Sequence, residues 1–326
     1  MLNSDAPDHT RLRKAVVKYF TAGRIDQLKP TVQEIVSSLV DPMIDRGGGD
    51  VMADVAMPLP VQVIGHILGV PNAEKHGFTE RTRLIVAPAP SERHLVPLAW
   101  REIGEYLSRV IAQKRSSPGD DLLSSLVSQG KGTAEAMTDP ELLSTAFLLL
   151  IAGHETTTSA IGNATFMLLK NPKVLRQLRT QPSLIKHAVE EFLRYDGPLK
   201  LASWRFARER MHLCGARIEK GDTVLIALGA ANRDPCRYRD PDLFRLERKP
   251  KGHLTFGHGT HACFGASLAR LEMETAIRSL IVEPSIEMAL ATDEVAWRPG
   301  ILTRSLTSLP VTMSTDAQGS EDNARS

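Results

Sequence analysis

A mainly α fold with small β-sheets (α+β) is predicted by three observations. Helical periodicity fills most of the chain up to Tyr195, one unbroken helical pattern runs over residues 138–170, and strand-like segments appear only after Gly197-Pro198. Residues 6–20 follow Asp5 as a candidate cap and place Leu12, Val16, Tyr19 and Phe20 on one face, the spacing of an amphipathic helix. Residues 27–44 continue in helical period until Gly47-Gly48-Gly49 stops them. A short apolar helix over 61–68 closes before Gly69 and Pro71. Helices over 78–86 and 98–113 are separated by Ala87-Pro88-Ala89-Pro90, whose prolines lack the backbone donors a helix needs. Loops of that kind often cover a pocket.

Thr138-Asp139-Pro140-Glu141 is a capping box with proline in the first turn, and Asn171-Pro172 ends the helix it starts. At ~1.5 Å per residue that helix runs about 50 Å, beyond the roughly 30 Å width of a small domain, so it should cross the centre of a large one. Helices over 174–179 and 184–195 follow, then strands over 202–206, 211–213 and 223–226, with Lys220-Gly221-Asp222 as a turn. From 233 to 259 the chain is rich in Pro, Asp and Arg and reads as an irregular lead into a glycine-rich loop. A single domain over 1–314 and a disordered polar tail over 315–326 complete the expected organisation.

Composition narrows the classes of function. Forty Lys and Arg against 38 Asp and Glu leave a net charge of +2, which gives no argument for a nucleic-acid partner. Cys214, Cys236 and Cys263 are too few and too scattered for a disulfide framework, which favours a reducing compartment, the cytoplasm by default. The longest apolar stretch, 146–153, falls short of the ~18 residues that cross a bilayer, so no membrane segment is expected.

The chemistry concentrates at Phe256-Gly257-His258-Gly259-Thr260-His261-Ala262-Cys263-Phe264-Gly265, ahead of a helical stretch through Leu268, Leu271, Met273 and Ile277. Glycines at 257, 259 and 265 remove bulk and permit unusual backbone angles, so the chain can approach a large flat ligand and aim amide groups at sulfur. A helix N-terminus favours a thiolate by only about 0.3 to 1 kcal/mol, so a bound metal must supply the rest. An inert cysteine at a helix start is one alternative, against which the glycine spacing speaks. Zinc is another, because His253, His258 and His261 share the segment, but no Cys-x-x-Cys knuckle accompanies them.

Two further motifs stand out. Ala152-Gly153-His154-Glu155-Thr156-Thr157 places a glycine, an acid and hydroxyls inside the long helix, where Gly costs about 1 kcal/mol relative to Ala and Thr156 can divert a backbone hydrogen bond. A local bulge or kink is expected there, at which a ligand could approach. A solvent-facing polar seam is the alternative, and the apolar flanks argue for burial. A zinc-protease helix would need histidine at 158, which is Thr158. Glu191-Phe192-Leu193-Arg194 sets an acid and a base one turn apart, in isolation a solvated pair worth a few tenths of a kcal/mol.

The cysteine segment resembles the heme-binding loop of the cytochrome P-450 family, Phe-x-x-Gly-x-[His/Arg]-x-Cys-x-Gly, with every fixed position filled. The resemblance covers nearly the whole chain, and the acid-threonine, Glu-x-x-Arg and Asn232-Arg233-Asp234-Pro235 motifs fall in the expected order. It implies the P-450 fold, heme b (iron protoporphyrin IX) ligated by Cys263, and a cradle that includes Ala152, Gly153, Phe256, Gly257 and Gly265. His9 and Arg13, which share a helix face, are implied with Arg205 and His261 as partners of the heme propionates. Glu155 and Thr156 are implied at the oxygen-activating position, Glu155 relaying protons and Thr156 donating and re-accepting one. Glu191, Arg194 and Arg248 are implied as a structural clamp rather than chemistry. The implied activity is monooxygenation of a small organic substrate by O2, with electrons from NAD(P)H through a reductase and a ferredoxin-type donor. A heme-binding but inactive fragment, and a peroxide-using enzyme of the same scaffold, are the rival expectations. Family members carry strands and helices before the His-x-x-x-Arg helix, and this chain begins almost at that helix, so an N-terminally truncated form with an exposed sheet edge is expected.

Overall fold

The computed structural model describes residues 1–71, 75–86, 88, 90–129, 132–133, 136–248 and 252–314. Within them the helical periods become α1 (Asp8–Val17), α2 (Ala22–Gln27), α3 (Lys29–Asp45), α4 (Pro58–Leu68), α5 (Lys75–Val86), α6 (Val96–Ser116) and α7 (Leu122–Ser128). Then come α8 (Asp139–Leu169), α9 (Pro172–Thr180), α10 (Ile185–Asp196), α11 (Leu228–Ala231) and α12 (Ala266–Ile281). Short strands are interleaved: β1 (Gly48–Asp50), β2 (Arg205–Phe206), β3 (Met211–Leu213), β4 (Ala216–Ile218), β5 (Thr223–Val224), β6 (Ser285–Met288) and β7 (Pro310–Ser314).

The central element is α8. Thr138 caps it, accepting from the Glu141 backbone N–H while the Glu141 carboxylate accepts from the Thr138 N–H at 2.8 Å, so two otherwise orphaned donors are satisfied. Every residue from Thr157 to Phe166 is buried, and the helix packs against α4, α10 and α12. A helix buried all round this stretch, with Thr157, Thr158, Ser159, Asn163 and Thr165 among its buried residues, has no wet face there, as expected for one that crosses a core. Asn163, buried within it, donates from Nδ2 to the Arg304 carbonyl at 3.0 Å and the Asp196 carbonyl at 3.3 Å, tying α8 to the end of α10 and to the approach to β7.

Several expectations are corrected. The helix α1 begins at Asp8 rather than Ala6, and Asp5 contributes only its backbone carbonyl, which accepts from the His9 N–H at 2.9 Å. The expected bulge near Gly153 is absent: α8 is α-helical throughout, and the Thr156 hydroxyl donates back to the Ala152 carbonyl at 2.9 Å. The π-helical turn lies instead at Met52–Ala56, against α8. Gly47-Gly48-Gly49 stops α3 and then supplies β1, which pairs antiparallel with β7 in the order β1-β7-β6, Gly48 facing Thr312. The segment 202–206 is paired only at Arg205–Phe206, with β5, and β3 pairs with β4, a strand the apolar pattern did not mark. The proline break over 87–90 lies partly, and the tail over 315–326 wholly, outside the described residues. No helix among the described residues is long and apolar enough to cross a membrane.

On α12, Glu272 is 3% exposed and its Oε2 has no hydrogen-bond partner. Burial alone pushes its carboxyl from 4.5 up to about 8. Between those values the folded chain holds a proton that the unfolded chain releases, so this group makes stability fall as pH rises through the window. Glu272→Gln, which mimics the neutral acid, should narrow the difference between denaturant midpoints at pH 6 and pH 8; an undiminished difference would place the pH dependence elsewhere.

Candidate functional site

The irregular run ends in a closed loop. Gly257 and Gly259 adopt φ of +69° and +76°, left-handed conformations that side chains resist, and the reversal they produce lets the Cys263 N–H donate to the Phe256 carbonyl at 2.8 Å. Gly265 differs from expectation: its φ of −82° suits any residue, and an added Cβ would sit 3.8 Å from the Cys263 sulfur, an ordinary contact. Its contribution is the backbone N–H, which donates to the sulfur three residues after the loop turns and just before α12 begins.

Cys263 is reachable by solvent, yet burial among protein atoms pushes its thiol up from the ordinary value. The Gly265 N–H and the charges of Arg13 and Arg270 act in the opposite direction without overcoming it. On α8, Ala152 and Gly153 are exposed, although Leu149 and Leu150 before them and His154 after them are buried. Open space adjoins Gly153, where an added Cβ would meet nothing within 4 Å. Glu155 and Thr156 follow as half-buried residues on the same helix.

Beside the loop stands a cluster of basic side chains, His9, Arg13, Arg205 and His261, on which the carboxylate of Asp5 acts as a weaker opposing charge. The rings of His9 and His261 stack at 4.0 Å, Arg13 donates to the Ala262 carbonyl, and the Arg13 guanidinium lies 5.3 Å from the centre of the Phe264 ring. Desolvation first, and then the charges of its neighbours, lower the pKa of both imidazoles: His261 and Arg13 act on His9, Arg205 and Arg13 on His261. The Arg205 side chain itself donates to the Ser203 hydroxyl at 2.7 Å. His9 Nε2 is buried without a hydrogen-bond partner. The helix that presents His9 and Arg13 is held to α8 by Arg11, which donates to Glu141; that contact and the Thr138 N–H bring the Glu141 carboxyl down to about 2.

Behind the loop, Glu191 and Arg194 have fully buried side chains and form a bidentate pair, Nε to Oε2 at 2.7 Å and Nη2 to Oε1 at 2.8 Å. Arg248 donates from Nε to Glu191 Oε1 at 3.0 Å and from its other nitrogens to the carbonyls of Arg239, Asp240 and Leu243. Arg194 also donates to the carbonyls of Asn232 at 2.9 Å and Pro241 at 3.0 Å. The pair that reads as solvated in isolation is thus completely dry.

The loop histidines do not converge on sulfur. His253 faces Glu190 at 3.2 Å and His261 stacks on His9. Glu190 and Arg270 were missed by sequence reasoning: each looks like an ordinary surface charge, and the available signal was the doubled acid Glu190-Glu191, whose members point about 100° apart on a helix. Asn232, named above only as part of the Asn232-Arg233-Asp234-Pro235 motif, has a role in the structure: its amide braces the loop, accepting from the Leu254 N–H at 2.6 Å and donating to Thr255 Oγ1 at 2.9 Å. A cavity of about 810 Å³ between α6 and α8, walled by Trp100, Gly104, Leu143 and Phe147 among others, takes no residue from the cysteine loop.

A heme fits these residues. The desolvated, solvent-facing thiol could supply a soft ligand to its metal, the exposed step at Ala152 and Gly153 offers open space, and the basic cluster with the orphaned His9 nitrogen suits two carboxylates.

The family model described as Cytochrome P450 matches residues 61–297. Cytochrome P450 107B1 of Saccharopolyspora erythraea is 43% identical over 312 residues, covering 95% of this chain and 76% of the relative. The cytochrome P450 monooxygenase PikC of Streptomyces venezuelae is 44% identical over 314 residues, covering 95% of this chain and 75% of that one. Among solved structures, the bacillaene polyketide synthase cytochrome P450 PksS of Bacillus subtilis superposes with a TM-score of 0.87 at 37% identity, covering 96% of this chain and 80% of its own.

Replacing Glu191 by Gln would leave a buried guanidinium without its counter-charge. A loss of about 3 to 5 kcal/mol is expected, read as a lowered denaturant midpoint; a change below about 1 kcal/mol would show that the backbone carbonyls alone hold Arg194.

Proposed function

The chain belongs to the cytochrome P450 family of monooxygenases, and from that premise we propose that it inserts one atom of O2 into a small organic substrate, using heme b ligated by Cys263. The observation that carries this reading is the pairing of a desolvated but accessible thiol with a basic cluster that meets the same loop at His261 and the Ala262 carbonyl. When bound, the heme supplies the one-electron redox chemistry and the activation of oxygen, to which a thiolate ligand contributes electron density.

The chain's own residues do the rest. Cys263 holds the metal, and the Gly265 N–H, directed at the sulfur, supports its charged form. Arg13, His9, His261 and Arg205 would take the two propionates, whose charge offsets the desolvation and the neighbouring positive charges that lower both histidines. Ala152 and Gly153 leave room for the flat group, with Phe256 and Gly257 shaping the loop beneath it. Thr156 holds a proton on its hydroxyl and can turn from the Ala152 carbonyl to donate it, while Glu155, next to it, exchanges protons with solvent. Retention of this acid and hydroxyl favours oxygen with an external reductant over peroxide. Electrons come from NAD(P)H through a reductase and a ferredoxin-type donor, in the cytoplasm, a setting with which three free thiols are consistent. The name of PksS, which refers to polyketide synthesis, makes a polyketide product the first substrate class to try.

After reconstitution with heme, the reduced, carbon-monoxide-bound protein should show the absorption band of thiolate ligation, and Cys263→Ala should abolish it; a colourless protein, or an unchanged band in the variant, defeats the proposal. Thr156→Ala should keep that band while the product formed per NAD(P)H consumed drops roughly tenfold or more, with the missing electrons recovered as hydrogen peroxide. Unaltered coupling would remove the proton role from Thr156.

A further inference from the structure

Glu190 and Glu191 are neighbours on α10, yet they serve different parts of the molecule. Glu191 points to the irregular run and Arg248. Glu190 turns to the other side, where Oε1 accepts from Arg270 Nε at 2.5 Å and Oε2 from Arg270 Nη2 at 3.0 Å, a parallel two-pronged bond. His253 Nε2 lies 3.2 Å from the same Oε2, and its side chain is 3% exposed. His253 Nδ1 accepts from the Thr255 N–H at 3.4 Å, which leaves Nε2 as the protonated nitrogen that donates to the carboxylate. Burial works to raise the Glu190 carboxyl, but His253 and Arg270 together bring it down to about 2, so it is charged at neutral pH.

The two partners of Glu190 stand on either side of the cysteine. His253 precedes Phe256, whose carbonyl receives the Cys263 N–H, and the rings of His253 and Phe256 lie 5.8 Å apart. Arg270 is on α12, after the cysteine, and its guanidinium covers the Phe256 ring with Cζ 4.5 Å from the centroid. Its charge also reaches the Cys263 sulfur and lowers the thiol pKa. One carboxylate on a neighbouring helix therefore joins the segment leading into the loop to the helix leading out of it. It also partly neutralises a cation that the sulfur feels.

We propose that Glu190 is a positioning residue for the metal ligand: by clasping Arg270 and His253 it fixes both ends of the loop that carries Cys263. The inference rests on the heme-thiolate reading of Cys263. The clasp holds the sulfur in place and prevents its exchange for another ligand or for water, and it contributes little to folding as a whole because its three members are partly exposed or lie at the edge of the core.

The test uses the heme-loaded chain and the variants Glu190→Gln and Arg270→Lys, the second keeping the positive charge but losing the two-pronged bond. Both are expected to keep the parent's far-UV circular dichroism and to form the thiolate band under carbon monoxide. In both, that band should decay to the form lacking thiolate about tenfold faster than in the parent, and heme transfer to excess apomyoglobin should accelerate by a similar factor. The reduction potential should rise in Glu190→Gln, where the Arg270 charge is left unbalanced near the sulfur, and rise less in Arg270→Lys. Parent-like decay, transfer and potential in either variant overturn the clasp while leaving the heme-thiolate reading intact. Should Glu190→Gln fail to fold, Arg270→Lys decides alone; failure of both to fold makes the trio a general brace and overturns the inference. A parent chain without the thiolate band takes down the underlying reading, and this one with it.

Discussion

A carboxylate with no access to water has to be matched, and the matching of Glu191 organises the half of this molecule that carries the cysteine. Removing either arginine partner would strand a charge in a medium where solvation is lost, so the segments that bring them cannot drift apart without a cost of several kcal/mol. The run of described residues 232–248 and 252–254 forms no helix or strand, and its polar groups must find partners individually. Arg194 and Arg248 give five of its carbonyls their donors, and the Asn232 amide closes the remaining gap to Thr255, whose hydroxyl donates to the Leu193 carbonyl at 2.6 Å. The position of the cysteine loop is thus inherited from α10 through side chains, not through a sheet.

The central helix α8 presents a contrast within itself. From Thr157 to Phe166 it is sealed, whereas four and five residues before Thr157 it is exposed at Gly153 and Ala152. Small side chains at that step leave open space beside Gly153 on a helix that is otherwise wrapped by neighbours. Glu155 and Thr156 follow at the boundary between the exposed step and the sealed half, a half-buried setting for an acid and a hydroxyl.

Much of this was legible because the signals are local. The capping box at Thr138 and the stop at Asn171-Pro172 delimit α8 to within a residue, and the glycines at 257 and 259 announce a reversal that the backbone angles display. The parts that were not legible depend on distant partners. Gly48-Gly49-Asp50 has no alternation of apolar residues, and it becomes a strand only because β7, more than 250 residues later, offers the edge. Residues 216–218 gain strand character from a hairpin with β3 that faces solvent on both sides, so no hydrophobic pattern marks them. Thr156 was expected to disturb its helix; its hydroxyl found the carbonyl one turn back, and the helix stayed regular. Glu190 carries only the faint mark of standing beside Glu191, since its partners come from two segments that the sequence alone does not bring together.

Arg13 and the Ala262 carbonyl it binds are 249 residues apart along the chain, and the stacked imidazoles at 9 and 261 span a similar interval. At a ribosomal speed of roughly 5 to 20 residues per second, the first of these groups emerges some tens of seconds before the second exists. This basic corner is consequently a late product of synthesis, with long-range contacts that slow its closure. During that interval α1 exposes His9 and Arg13 before their eventual neighbours have been translated, and on the heme-thiolate reading cofactor capture waits for Cys263.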